Sequence, residues 1–169
     1  MSLHTAHEPV TNDAFLYLPD TIVERVDVWS ASIADKTGGL SWLLKGMYEA
    51  GADFNFIIAR RTPENPGSGV VFVTPIRGDR EVKAASTLGF SITRSVNAVC
   101  YEADNKPGAT ARLTRLIADA GINIRGLSVA EIGTRFVAYI GFDGSSDAEK
   151  ALGIFEAAGA ELIKGRILP

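Results

Sequence analysis

Two short polar phrases in this chain carry the side chains and the backbone freedom needed to hold a small zwitterion. Asp35-Lys36-Thr37-Gly38-Gly39 leads into an apolar-periodic stretch at Leu40, and Asp104-Asn105-Lys106-Pro107-Gly108 leads into another at Ala109. A free carboxylate is met well by unpaired backbone N–H groups at the positive end of a helix, and an ammonium by carboxylates or carbonyls. Gly38, Gly39 and Gly108 let the backbone approach a ligand closely, and helices that begin at Leu40 and Ala109 aim their first N–H groups at the same place. Asp35, Asp104 and Asn105 are then the ammonium candidates, with Lys36 in the same loop. The bland reading stands beside this one. Asn-Lys-Pro-Gly before a helix is also a turn with a proline at the helix start.

The two phrases are copies. Lys36 and Lys106, Gly51 and Gly121, and Gly89 and Gly159 each lie 70 positions apart, so spacing is kept while side chains drift. A fixed period of that length marks a duplicated supersecondary unit. The expected division is an arm over residues 1–24, a first unit over 25–95 and a second over 96–169. Units this small leave unfinished cores or open sheet edges, which favours pairing between copies and a homodimer.

Each unit reads as βαββαβ. In the first, residues 26–33 alternate apolar with small or polar side chains, as a half-buried strand does. Leu40, Leu43, Leu44 and Met47 then recur at helical spacing, and Gly51 closes that helix. Strands follow over 54–59 and 70–76, a helix over 81–88 and a strand over 90–95. The second unit repeats the course with strands at 96–101, 122–130, 135–142 and 161–167, and helices at 109–120 and 147–157. Two right-handed crossovers interlocked in this way give an antiparallel four-stranded sheet with both helices on one face, an α+β ferredoxin-like arrangement. Asp53-Phe54 and Asn123-Ile124 open the second strand of each unit, at the end of the sheet opposite their own glycine loop. Gly51 and Gly121 read as caps.

On these residues the chain resembles the ACT domain, a βαββαβ ligand-sensing module attached to many enzymes of amino-acid metabolism. Asp104 to Gly108 before the first helix of the second unit, and Ala120-Gly121-Ile122-Asn123-Ile124 after it, carry the resemblance, which covers about residues 26–168. The first copy departs further, with Thr37 where a proline is usual and Asp53-Phe54 where Asn-Ile is usual. The resemblance implies a stand-alone double-ACT regulatory protein. It also implies an amino-acid ligand at interfaces where copies meet head to tail, so that Asp53 or Asn123 faces the glycine loop of another copy, and a regulated enzyme or regulator as partner.

Composition limits the alternatives. The chain has 169 residues, 46% of them hydrophobic and 22% charged, as in ordinary globular proteins. A net charge of −3 argues against a nucleic-acid-backbone binder. No apolar run is long enough to span a membrane and no signal-peptide layout opens the chain, so the expected location is the cytoplasm. Both histidines, His4 and His7, fall in the arm, which leaves no Ser-His-Asp or Cys-His group for the folded body and no third ligand for a metal. Cys100 is the sole cysteine and reads as a buried filler. No cofactor and no catalytic residue are expected. Besides the amino-acid sensor, two classes stay open: a ligand-free interaction module, and an acylphosphatase-like or mutase-like enzyme, which lacks an evident nucleophile and base.

Overall fold

The computed structural model describes residues 21–93 and 96–166. The chain builds two four-stranded antiparallel sheets, each with two helices on one face. The first sheet contains β2 (Trp29–Ala34), β3 (Phe56–Arg61), β4 (Ser68–Thr74) and β5 (Ser91–Ile92), in the order β3-β4-β2-β5. Helices α1 (Gly39–Ala50) and α2 (Gly78–Thr87) cover it. Trp29 and Ala31 of β2, Val71 and Val73 of β4, Leu43 and Met47 of α1 and Ala85 of α2 form its core. Period two on the strands and period three-to-four on the helix bring these side chains to one layer.

The second sheet contains β6 (Asn97–Asp104), β7 (Gly126–Ile132) and β8 (Arg135–Phe142), covered by α3 (Ala109–Asp119) and α4 (Ser145–Arg166). Its order is β1-β6-β8-β7, and β1 is Ile22–Val26 from the start of the chain. Val99, Tyr101, Phe136, Ile140, Leu113, Ile117 and Phe155 make a core in which every one of these side chains is fully buried. Tyr101 meets Phe155 edge to face at 5.4 Å, an arrangement that suits the charge distribution of two rings.

The fold class agrees with the expectation, and two strands do not. The alternation over 26–33 was one strand in the sequence reading. The structure divides it, with Val26 ending β1 in one sheet and Trp29 beginning β2 in the other. Residues 22–24, expected in a loose arm, pair with β6 from Ile22 opposite Glu102 to Glu24 opposite Cys100. The rest of the arm, with His4, His7 and residues 15–18, lies outside the described residues. Residues 161–166, expected within a strand over 161–167, are helical instead, since α4 runs on to Arg166. Two causes act together. The Ala-rich stretch 157–160 has strong helix propensity that Gly159 reduces by only about 1 kcal/mol, and the sheet edge a terminal strand would occupy is already filled by β1. Within the units, the expected strands 54–59 and 122–130 begin later, at Phe56 and Gly126, while 135–142 is found unchanged.

Candidate functional site

The two glycine loops adopt the same backbone. Gly38 has φ 83° and ψ −6°, and Gly108 has φ 83° and ψ 5°. Both are left-handed positions that favour glycine, which is the physical reason this residue stands at both copies of the site. Each loop is tied to the hairpin of its own unit, Asp35 N–H donating to Gly67 O at 2.9 Å and Asn105 N–H to Thr134 O at 2.7 Å. Each helix then starts with the N–H of Trp42 on Gly38 O and that of Arg112 on Gly108 O. The intervening amides, Leu40 and Ser41 in one unit and Thr110 and Ala111 in the other, have no described partner and point out of the helix start. Gly39 is constrained differently, because a Cβ there would stand 2.9 Å from the Ala34 carbonyl oxygen.

The acidic side chains of both loops hold arginines. Arg61 Nε at the end of β3 lies 3.0 Å from Asp35 Oδ2. Arg135 at the start of β8 places Nε 2.8 Å from Glu102 Oε1 and Nη1 3.4 Å from Asp104 Oδ1. An ammonium arriving at Asp35 or Asp104 therefore competes with a guanidinium. At the first loop the competition is feasible, since a solvent-facing pair such as Asp35–Arg61 is worth about 0.2–1 kcal/mol, whereas Arg135 is part-buried between two carboxylates. Lys36 and Lys106 are exposed, Asn105 is half-buried, and Ala109 is 3% exposed within the second core. A shallow hollow bounded by Asp35, Lys36, Leu40, Arg60 and Arg61 lies beside the first loop.

Asp53 and Asn123 are exposed and sit in the turns before β3 and β7, while Phe54 and Ile124 pack into their own cores. The register puts these turns at the far end. Arg61 beside loop one faces Gly69, whereas Phe56 faces Thr74 at the other end of the same pair of strands. Helix α1 spans about 18 Å between the two places. Neither unit unites Asp53 or Asn123 with its own glycine loop.

What the sequence reading missed is the space between the sheets. The helix-free faces confront each other, and Phe56 of the first unit stacks on Tyr139 of the second at 4.2 Å between ring centroids. A cavity of about 300 Å³ lies on one side of this stack, bounded by Ile58, Phe72, Ala98 and Ser128 together with Arg60 and Arg125. A wider cleft of about 740 Å³ on the other side reaches Glu24, Cys100, Glu102 and Ile132. Nothing in one sequence states what a free sheet face meets.

Cys100 and Tyr139 share a hydrogen bond within this cleft, and burial, reinforced by Glu24 and Glu102, pushes the thiol up to about 11 against that bond's opposing effect. Burial also pushes the Tyr139 hydroxyl up, with the neighbouring Cys100 and both glutamates adding to it. The thiol is thus protonated and a poor nucleophile at neutral pH. Iodoacetamide at pH 7.5 is expected to label Cys100 slowly in the folded protein and rapidly in urea. The folded thiol keeps its proton above the ordinary value of 9.0, so its stabilising effect is complete below pH 9 and is lost as pH rises toward 11. A Cys100→Ala chain should show a flatter fall in urea midpoint over pH 9–11, and identical slopes would contradict this.

Among the described residues no group of three or more His, Cys, Asp or Glu side chains gathers as a metal site, and no helix is long and apolar enough to cross a membrane.

Residues 99–160 match the ACT domain family model. No curated protein matches the chain. Among solved structures, a protein from Bacteroides thetaiotaomicron is similar with TM-score 0.67 and 15% identity, covering 84% of this chain and 98% of the other. The regulatory subunit of aspartate kinase from Thermus thermophilus, in ligand-free form, aligns with TM-score 0.56 and 16% identity over 82% of this chain and 95% of that one. The aspartokinase alpha and beta subunits align with TM-score 0.54 and 19% identity over the same shares. At these identities the likeness is one of fold. Residues 99–160 thus match the ACT domain, and the first unit repeats the same fold class.

Proposed function

We propose that this protein is a non-catalytic regulatory sensor that binds an amino acid at its glycine loops, as a homodimer acting on an enzyme or regulator in the cytoplasm. The observation that carries the reading is the pair of matching loops. Each sets a left-handed glycine and unpaired helix-start amides beside an Asp–Arg pair, so a carboxylate and an ammonium each find a complement within one small region. The ACT match over the second loop and the regulatory-subunit neighbours support the same direction. A second copy arriving head to tail would bring Asp53-Phe54 or Asn123-Ile124 across Gly38-Gly39-Leu40 or Gly108-Ala109 and close the site. Occupancy would then bias one arrangement of copies by the difference in ligand affinity between arrangements.

A thermal-shift panel of the twenty amino acids tests this. A true ligand at a hundred times its dissociation constant should add about 2.7 kcal/mol to stability. Asn105→Ala, Asn123→Ala or Gly108→Val should abolish the shift. A flat panel at millimolar ligand would favour a pure interaction module. That second reading has its own support in exposed apolar side chains on α1, where Trp42 is 65% and Tyr48 76% accessible.

A further inference from the structure

We propose that the cavity between the two sheets is a second small-molecule site, for amphipathic monocarboxylates, distinct from the glycine loops. The walls come from both units. Phe56, Ile58 and Phe72 of the first sheet and Leu127 and Tyr139 of the second supply bulk, while Ala98, Ser128 and Gly141 are small, and about 300 Å³ is left between the faces. Two sheets normally close at about 10 Å by interdigitating side chains; here the Phe56–Tyr139 stack meets ring on ring, and the small Ala98, Ser128 and Gly141 beside it leave room. That volume is at the lower end of those used by small-molecule sites, and its lining is largely apolar with few polar groups, as such sites are.

The charge at the cavity is of one sign. Arg60 from β3 and Arg125 from the approach to β7 both border it, and among the described residues no carboxylate does. Arg125 is held by Asp143 at 2.5 Å, whereas Arg60 has no described ion pair or hydrogen bond and is the group free to take an anion. A guanidinium presents a planar fork that matches a carboxylate. An α-amino acid would leave its ammonium beside these cations with no complement, so the favoured ligand is a carboxylate with an apolar body and no amine. Such a molecule touches both sheets, and its binding stabilises the arrangement in which they face each other.

The test uses the full chain and 8-anilinonaphthalene-1-sulfonate, an anion with an apolar body, followed by fluorescence and displaced by octanoate. Saturable binding of about one dye per chain is expected. Octanoate should displace it at least tenfold more effectively than octan-1-ol or 2-aminooctanoate. Arg60→Gln, at an exposed position, should weaken octanoate at least tenfold. Arg60 also borders the hollow by the first loop, so Ser128→Trp separates the two places, because Ser128 lies only between the sheets; it should remove dye binding while far-UV circular dichroism stays native. Should Ser128→Trp misfold, Ala98→Leu fills the same space with a smaller change. Absent or non-saturable dye binding, equal displacement by octanol, or octanoate affinity unmoved by Arg60→Gln and by the cavity-filling variant would each overturn the proposal. The amino-acid panel reads the glycine loops independently.

Discussion

A chain that begins at Asp27 should lose its folded second unit and keep its first. The removed residues include β1, whose five residues pair with β6 from Ile22 opposite Glu102 to Val26 opposite Ala98. Val23 packs on the second core, and Arg25 ties the strand down with Nη1 donating to Ser145 O at 3.2 Å and Nη2 to Asn97 Oδ1 at 3.4 Å. Burial of one valine contributes about 1.5–3 kcal/mol and each ladder hydrogen bond about 1 kcal/mol, so the loss is of order 5 kcal/mol. Domains of this size are stable by about 5–15 kcal/mol in total, which places the truncated unit near its unfolding limit. The first sheet starts at Trp29 and loses nothing. Calorimetry and limited proteolysis should show a surviving first unit and a second unit cleaved within 97–142. A synthetic peptide covering residues 20–27, added in excess, should restore protection by rejoining the edge of β6. Undiminished stability of the truncated chain would show that β1 does not serve the second sheet.

Truncating the equivalent core leucines should separate the two units by probe. Leu43 on α1 and Leu113 on α3 stand 70 positions apart, and their exposures are 1% and 0%. Replacing either by alanine removes buried methyl groups and leaves a cavity, at a cost of about 2–5 kcal/mol. Both tryptophans belong to the first unit, Trp29 being 8% exposed in its core. Leu43→Ala should therefore lower the urea midpoint seen by tryptophan emission, and Leu113→Ala the midpoint seen by far-UV circular dichroism, with emission little changed. Ala109 at the second glycine loop shares the core of Leu113, so any amino-acid response placed there should weaken in the same variant. Equal movement of the emission midpoint in both variants would show one cooperative body in place of two units.

The sequence alone determined the repeat, the fold class and the two glycine loops, because those rest on local rules. Spacing of Leu40, Leu43, Leu44 and Met47 specifies a helix face. Glycine at positions 38 and 108 answers to a positive φ, and period two over 135–142 specifies a strand with one buried side. Tertiary structure decided everything that depends on which surface meets which. Alternation over 26–33 states the faces of a strand and is silent on the sheet it joins, so the change of sheet at Asp27-Val28 left no local mark. The sequence ended the last helix at 157 and placed a strand over 161–167; that the second sheet had no vacancy for a terminal strand was not legible, because the occupant comes from the opposite end of the chain. The Asp35–Arg61 and Asp104–Arg135 pairs and the Phe56–Tyr139 stack join residues distant in sequence. Burial and charge pairing act through space, and only the folded chain sets those distances.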